Sequence, residues 1–388
     1  MIASDGFSWR LAIFYAAISV FAGLAMPFFP VWLEAKALDS TATGIVLAIP
    51  MLMRLVSVPA IARVADRWNA FRGVLIAAAI ASTLCYVLLS QMAGFIPILL
   101  AVALASTAIA PGVPVTEAYA LKGLGLRGRA YGPVRLWGSV AFVAANLGGG
   151  VVIDRIAPID IIWLLIASLA VITAVAFGLG PVSPGGRIVQ DAVPSGDRKL
   201  VLSAAFWAIT VAAGLVQASH AVYYGFSVLD WRSKGLDATA VGGLWALAVV
   251  AEILLFALSA RFAKALSPLG LVRLGVCGAI VRWSAMSVDP PLAALPLLQV
   301  LHAFSFGATH LGSVQLLARI APDRQFATAQ GDFATVLALI MGAAMALSGT
   351  LYADFGDGAY AAMAVAAALG GIVLLFATRL IHAQLRSL

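Results

Sequence analysis

The chain has 388 residues, of which 63% are hydrophobic and only 11% are charged. A soluble protein carries about 25% charged residues, so this composition excludes a water-soluble globular fold. The formal net charge of +7 does not indicate a nucleic-acid partner, because the basic residues are scattered singly between apolar runs instead of forming a basic patch.

Twelve apolar stretches follow one another along the chain. A transmembrane helix needs about 20 mostly apolar residues, and each stretch is close to that length. The first is too long for the core of a signal peptide, so we expect it to be retained as a span. The predicted spans are 9–33, 43–62, 73–92, 94–119, 132–153, 158–180, 200–224, 238–260, 267–287, 291–317, 330–353 and 359–381.

The longest break between spans covers residues 181–199 and is rich in proline, glycine and charge, which is typical of a linker. It divides the chain into an N-terminal bundle, 1–180, and a C-terminal bundle, 200–388. Features repeat weakly between the two parts: Asp154 follows span 5 as Asp354 follows span 11. We therefore predict an all-α membrane protein with two pseudo-symmetric six-helix bundles.

Charge is distributed unequally between the two sets of alternating breaks. Most of the 24 lysine and arginine residues fall in one set, which includes both chain ends. Since basic residues accumulate on the cytoplasmic side of membrane proteins, we expect twelve spans with both termini in the cytoplasm, in a bacterial inner (plasma) membrane. The basic residues in the other set are Lys36, Arg155, Arg232 and Lys234.

Six charged side chains fall inside the predicted spans. A charge near the bilayer centre costs roughly 2.5–3.5 kcal/mol even on the more lenient insertion scale, so such residues mark solute pathways or proton relays by default. Fixed ion pairs that hold helices together are the alternative interpretation. The six residues are Arg54, Glu117, Arg135, Glu252, Arg282 and Asp332.

Two pairs within the spans are spaced for contact. Glu117 and Arg135 lie near facing ends of spans 4 and 5, so they can meet across the helix pair. They can form a bidentate ion pair, or each can turn to a hydroxyl or carboxylate of a ligand. His302 and His310 are about 80° apart around span 10 and share one broad face. Histidine titrates near neutral pH and suits proton transfer, although a helix-to-helix hydrogen bond is an equal alternative. We predict no metal site, because no third ligand has helical spacing to the pair and His220 lies on another span.

The break after span 2 carries a recognisable motif. Residues 62–72 read ARVADRWNAFR, which resembles the signature G-x-x-x-D-R-x-G-R-R of the major facilitator superfamily, with Ala62 and Asn69 in place of its glycines. The resemblance implies the major facilitator fold. It also implies that Asp66 and Arg67 form a gating loop on the cytoplasmic side.

Two further segments resemble the group that contains the lactose permease and the phenylpropionate and nucleoside proton symporters. Residues 114–119 (PVTEAY) and 131–138 (YGPVRLWG) are similar to that group's spans 4 and 5. The resemblance implies that Glu117 and Arg135 bind solute, with Phe142 stacking beside them. Further candidates for solute binding are Arg54, Tyr119 and Trp137.

The second half carries the same resemblance, with one departure. Residues 281–283 (VRW) and 301–304 (LHAF) are similar to the arginine and histidine segments of the group. The lactose permease has its proton-carrying glutamate three residues after that histidine, where this chain has Ser305. Glu252 is therefore the expected substitute carrier. The predicted proton-coupling residues are Glu252, Arg282, His302, His310 and Asp332.

These observations predict a secondary active transporter that takes up a small organic solute, such as an aromatic acid, sugar or nucleoside, by proton-coupled alternating access. We expect a monomer in the lipid bilayer with no cofactor, the coupling ion being H⁺, and no enzymatic activity, because no phosphate loop, zinc-protease motif or serine elbow stands out. A proton-driven exporter of drugs or metabolites is the main alternative. A membrane receptor without transport activity is a more remote one.

Overall fold

The computed structural model describes residues 6–68, 70–182, 203–262, 266–321 and 326–386. Within these ranges every regular element is a helix, and no strand occurs. This agrees with the physical requirement that each backbone N–H and C=O inside a bilayer be satisfied within its own segment. The predicted all-α architecture is therefore confirmed.

The first six spans are formed by seven α-helices. The fourth span, Phe95–Gly125, is interrupted at Ala110 and Pro111, because proline cannot donate the hydrogen bond that a continuous helix needs. The helices are α1 (Phe7–Ala35), α2 (Ser40–Arg67), α3 (Phe71–Gln91), α4 (Phe95–Ile109), α5 (Gly112–Gly125), α6 (Gly132–Ile153) and α7 (Ile161–Phe177).

The second six spans contain eight α-helices and one π-helix, Ala303–Ala308. Spans 7 and 10 are each built from more than one helix. The α-helices are α8 (Ala204–Ala218), α9 (Ala221–Ser233), α10 (Ala238–Phe262), α11 (Pro268–Met286), α12 (Leu295–Val300), α13 (Thr309–Ile320), α14 (Phe326–Phe355) and α15 (Ala359–Arg386).

Eleven stretches of the described chain are long and apolar enough to cross a membrane. The last of them, Thr328–Gln384, is 57 residues long and holds both α14 and α15. A short turn at Gly356–Gly358 separates these two helices, and Gly356 there has a φ of 53°, which favours glycine. The last stretch therefore contains two spans, and the predicted count of twelve is confirmed.

The described chain forms two compact units. The first comprises Met1–Ile188 and Val228–Ala246. Inside it α1 packs along α6 and α7, and α3 packs along α4 and α7. Glycines permit the close approach of α1 and α6: a Cβ atom at Gly23 would lie 2.8 Å from the carbonyl oxygen of Phe142. Small residues at such contacts are typical of helix packing in membranes.

The second unit comprises Val189–Ser227 and Leu247–Leu388. In this unit α8 packs against α14 and α15, and α11 packs against α13 and α15. One end is filled by a cluster of buried side chains that includes Phe206, Leu317 and Phe333. This cluster holds α8, α13 and α14 together and leaves the breaks in spans 7 and 10 farther along the helices.

The compact units differ from the predicted domains at one place, Val228–Ala246, which groups with the first unit. The reason is a direct contact between α6 and the start of α10. Asp154 accepts hydrogen bonds from the backbone of Ala238 at 2.7 Å and of Thr239 at 2.9 Å, and a Cβ atom at Gly242 would clash with the Asn146 carbonyl oxygen. Most of the predicted linker, residues 183–199, lies outside the described residues.

Candidate functional site

Two interruptions of regular helix lie close together in the second unit. In span 7, α8 ends at Ala218 and α9 begins at Ala221. In span 10, a π-helix occupies Ala303–Ala308. Irregular backbone at membrane depth is tolerated only where protein covers it or where it lines a cavity, and π-segments occur frequently at functional sites. These two breaks therefore locate the candidate site.

The break in span 7 is secured by its own side chains. The Nδ1 atom of His220 lies 3.0 Å from the carbonyl oxygen of Gln217 and 3.2 Å from that of Val216. Ser219 donates to the same Val216 oxygen at 2.6 Å and accepts from the Trp283 indole at 2.8 Å. The last carbonyl groups of α8, which have no helical partner, are thereby satisfied.

Arg282 of α11 is completely buried beside the π-helix. Its guanidinium donates to Nδ1 of His302 at 2.9 Å and to Oε1 of Gln299 at 2.8 Å. A longer bond of 3.4 Å reaches the hydroxyl of Ser305. These three acceptors are all neutral side chains on span 10, so the hydrogen bonds fix the position of the Arg282 head without cancelling its charge.

Two neighbouring aromatic rings lie against the same guanidinium. The Arg282 head lies 4.6 Å from the ring centre of Tyr223 and 4.5 Å from that of Trp283. No carboxylate lies within 4.0 Å of it in the described part of the chain. A buried cation held only by dipoles and π faces is costly, which makes this an electrostatically strained centre of the second unit.

Glu252 reaches this centre from α10. Its Oε2 atom lies 3.7 Å from Nε2 of His302, and Gly307 leaves room for it, because a Cβ there would lie 3.2 Å from Cγ of Glu252. Arginine can only donate hydrogen bonds, so Nδ1 of His302 must be the acceptor of the Arg282 bond. A neutral His302 therefore carries its proton on Nε2, the atom that faces Glu252.

The two histidines of span 10 lie on one face, as their spacing predicted. His302 stacks on Phe306 with ring centres 5.2 Å apart, and Phe306 stacks on His310 with ring centres 6.2 Å apart. This row of three stacked rings extends from the buried His302 to the exposed His310. Asp332, the fifth predicted proton-coupling residue, is half-buried near the start of α14, and its role stays a prediction.

In the first unit, Arg135 is half-buried on α6, with its guanidinium 5.5 Å from the ring centre of Tyr15. Glu117 of α5 lies close enough for its charge, like that of Arg135, to act on the Tyr15 hydroxyl. No ion pair joins Glu117 to Arg135 among the described residues. Phe142 is half-buried farther along the same helix as Arg135.

The other predicted binding residues lie in different surroundings. Tyr119 is buried, and its hydroxyl donates to the Gly180 carbonyl at 2.6 Å. Trp137 is exposed and packs edge-on against Trp9 at 5.9 Å. Arg54 is exposed on α2. Their part in binding stays a prediction, and the geometry of Tyr119 and Trp137 does not favour it.

The predicted gating residues, Asp66 and Arg67, lie in the last turn of α2 and not in a loop after it. Arg67 is exposed at the last turn of that helix, whereas the side chain of Asp66 lies outside the described residues. Among the described residues, no group of three or more His, Cys, Asp or Glu side chains is placed to hold a metal ion.

Sequence reasoning missed several members of the buried cluster in the second unit. His220 was set aside because it lies on another span, and Ser305 was noted only as a departure from a pattern. The polar pair Ser219–His220 within an otherwise apolar span was the available signal for the first. The members that were not predicted are His220, Tyr223, Trp283, Gln299 and Ser305.

Comparison with known proteins gives consistent matches over most of the chain. The profile of the MFS_1 like family matches residues 8–361. A protein of Escherichia coli (strain K12) named "probable 3-phenylpropionic acid transporter" is 30% identical over 364 residues, which cover 92% of this chain and 94% of that protein. The maltose permease of Geobacillus stearothermophilus is 28% identical over 340 residues, or 84% of this chain and 82% of the permease.

Solved structures share the fold. The crystal structure of the nucleoside transporter NupG superposes with a TM-score of 0.78 at 14% sequence identity, covering 97% of this chain and 98% of that chain. The D-xylose-proton symporter superposes with a TM-score of 0.68 at 13% identity, covering 96% of this chain and 97% of that one. At such low identity these similarities bear on the fold alone.

Proposed function

Because the chain belongs to the MFS_1 like family of major facilitator transporters, we propose that it is a proton-coupled symporter that takes up a small organic acid by alternating access. It is a multi-pass membrane protein of a transporter family and not an enzyme. The coupling ion, the direction of transport and the solute are the proposed parts.

The observation that carries this proposal is the contact between Glu252 and the His302–Arg282 pair. A carboxylate 3.7 Å from a histidine, itself held by a completely buried arginine, can accept a proton without leaving a new unpaired charge. Protonation shifts a conformational equilibrium only if the proton binds one conformation more tightly than the other. The charge of Arg282 would make the proton affinity of Glu252 differ between conformations, because a movement of α10 relative to α11 would change the distance between the two side chains.

The proposed solute site lies in the first unit. Arg135 offers a guanidinium that has no carboxylate partner within 4.0 Å among the described residues, and Phe142, farther along the same helix, offers a half-buried aromatic ring. A guanidinium binds a carboxylate through two parallel hydrogen bonds, and an aromatic ring packs on aromatic side chains. An aromatic carboxylate suits this combination, which the name of the Escherichia coli relative supports. Sugars, as for the maltose permease, are the alternative class.

Transport into vesicles tests the coupling. Wild-type protein reconstituted in liposomes should accumulate radiolabelled 3-phenylpropionate when the outside is made acidic. Glu252→Gln should reduce this accumulation by about tenfold or more, because it removes a differential proton affinity, while exchange of solute across the membrane without a gradient persists. Asp354→Asn, at an exposed carboxylate that follows span 11, serves as the matched control and should accumulate normally.

Opposite results identify the alternatives. Full accumulation by Glu252→Gln would show that another group carries the proton. Proton-driven loss of solute from loaded vesicles would indicate an exporter. Accumulation of maltose in place of 3-phenylpropionate would show that the transported solute is a sugar.

We further propose a monomer in a bacterial plasma membrane with both termini in the cytoplasm. The unequal distribution of basic residues among the breaks supports this orientation. No cofactor beyond H⁺ is required by the proposal, since the groups that would move charge belong to the chain itself.

A further inference from the structure

His220 is completely buried at the break in span 7, and the proposed coupling path does not use it. Among the described residues, its Nδ1 atom has two hydrogen-bond partners, the carbonyl oxygens of Val216 and Gln217. A carbonyl can only accept, so Nδ1 carries a hydrogen and donates it. In a neutral imidazole the other nitrogen, Nε2, is then a bare acceptor.

That acceptor faces Ser305 of the π-helix, with 3.1 Å between Nε2 and the serine oxygen. The Ser305 hydroxyl must therefore donate its hydrogen to His220. The lone pairs of the same oxygen are left for the guanidinium of Arg282, 3.4 Å away. The donor order is thus set in one direction, from Arg282 to Ser305 to His220.

The surroundings oppose a change in this order. The His220 ring contacts those of His302 at 5.4 Å, Trp283 at 4.9 Å and Phe306 at 5.7 Å, each nearly perpendicular. A protonated His220 would place a second positive charge near Arg282 in a dry environment, which is unfavourable without a counterion. Packing and charge together keep His220 as a neutral acceptor.

We propose that His220 is a positioning residue for proton coupling. By accepting from Ser305 it orients that hydroxyl toward Arg282, and it thereby helps hold Arg282 on Nδ1 of His302. The proton of His302 then stays on Nε2, facing Glu252. The coupling role rests on the proposed function, whereas the hydrogen-bond order can be measured without any solute.

A purely structural role, capping the end of α8, uses the opposite side of the ring. The two roles can therefore be separated. His220→Asn places an amide near Nδ1, which keeps the donor to Val216 and Gln217 and removes the acceptor for Ser305. His220→Gln reaches the Nε2 position, which keeps an acceptor for Ser305 and removes the donor to α8. Ser305→Ala removes the link and leaves the cap intact.

The first test is nitrogen NMR of ¹⁵N-histidine-labelled protein in lipid. The chain has only four histidines, so single substitutions assign every signal. Wild-type His220 should be protonated on Nδ1 and His302 on Nε2. His220→Gln should leave the His302 signal unchanged, and His220→Asn and Ser305→Ala should each convert it to a mixture of tautomers. The proposal would be overturned if wild-type His220 were protonated on Nε2. It would also be overturned if the His302 signal were the same in Ser305→Ala as in the wild type.

The second test is vesicle uptake with 3-phenylpropionate. His220→Asn and Ser305→Ala should each lower gradient-driven accumulation by about tenfold and spare gradient-free exchange, and the double variant should lose no more than either single one, because the two residues act in series. Equal loss of accumulation and exchange in His220→Gln, with His220→Asn unaffected, would indicate that the cap on α8 is what matters and would contradict the proposal. Failure of wild-type uptake would count against the proposed function, and the NMR result would still decide the positioning role.

Discussion

Arg135 can lie over Tyr15 because residue 138 is glycine. A Cβ atom at Gly138 would lie 2.8 Å from a terminal nitrogen of the Arg135 guanidinium and 2.9 Å from the hydroxyl of Ser19. Both distances are too short for ordinary contact, so any larger residue moves the arginine head. The glycine therefore sets the direction of the charged group proposed to bind solute.

Gly138→Ala should weaken solute binding by about tenfold, the order expected for one lost hydrogen bond to a charged group. Folding should be retained, because the displaced atoms are the ends of side chains. Gly148→Ala on the same helix is the matched control, since a Cβ there meets nothing within 4 Å. Binding of 3-phenylpropionate to purified protein, followed by calorimetry, measures the effect. Equal affinities for the two variants would contradict this account of Arg135.

In the first unit, residue spacing was not enough to predict side-chain contacts. The spacing of Glu117 and Arg135 predicts that the two residues can meet, but it does not specify the partner of either side chain. In the structure Arg135 turns to Tyr15, and no ion pair joins it to Glu117. A flexible side chain several atoms long can reach many partners, so its choice depends on the packed surroundings.

At the scale of elements, the end of α6 meets the beginning of α10. The first N–H groups of a helix have no partner within it, and its N-terminus attracts negative charge. Asp154 provides both the hydrogen-bond acceptor and the negative charge. It accepts hydrogen bonds from the Ala238 and Thr239 backbone and from the Thr239 hydroxyl, the last at 2.6 Å. Partial burial raises the pKa of the Asp154 carboxyl, but these bonds and the charge of Arg232 lower it more, so the pKa lies below its ordinary value.

This contact should depend on pH. A lowered folded-state pKa means that the stabilisation is present above the ordinary pKa of 3.8 and is lost as the pH falls through the lower value. Asp154→Asn should therefore reduce Tm by about 1–3 °C at neutral pH, and the difference from wild type should shrink below pH 3.8.

Asp160→Asn is the control for Asp154→Asn, because Asp160 precedes α7 without a side-chain capping bond. It should leave Tm unchanged at both pH values. A constant difference between wild type and Asp154→Asn across the pH range would show that the charge of the carboxylate is not what matters.

For the whole molecule, the prediction concerns sidedness. After Cys85 and Cys277 are replaced by serine, a cysteine at Val288, which is 74% exposed between α11 and span 10, should react with a membrane-impermeant maleimide in intact cells. A cysteine at Arg129, exposed between α5 and α6, should react only after the cells are permeabilised. The reverse pattern would place the termini outside and contradict the distribution of basic residues.

Much of the architecture was readable without coordinates. The length of each apolar run is a local property of the sequence, so the twelve spans could be predicted directly. The cluster of Glu252, Arg282 and His302 was also within reach, because a charge inside a bilayer must find a partner.

The tertiary structure alone decided how the breaks in spans 7 and 10 fit together. His220 and Ser305 are 85 positions apart in the chain, and nothing in either segment specifies the other. Likewise, the grouping of Val228–Ala246 with the first unit depends on Asp154, which lies 85 positions before Thr239. Hydrophobicity determines that a segment enters the membrane. A hydrogen bond, however, requires a donor and an acceptor about 3 Å apart, and only the packing of the helices brings two such groups that close.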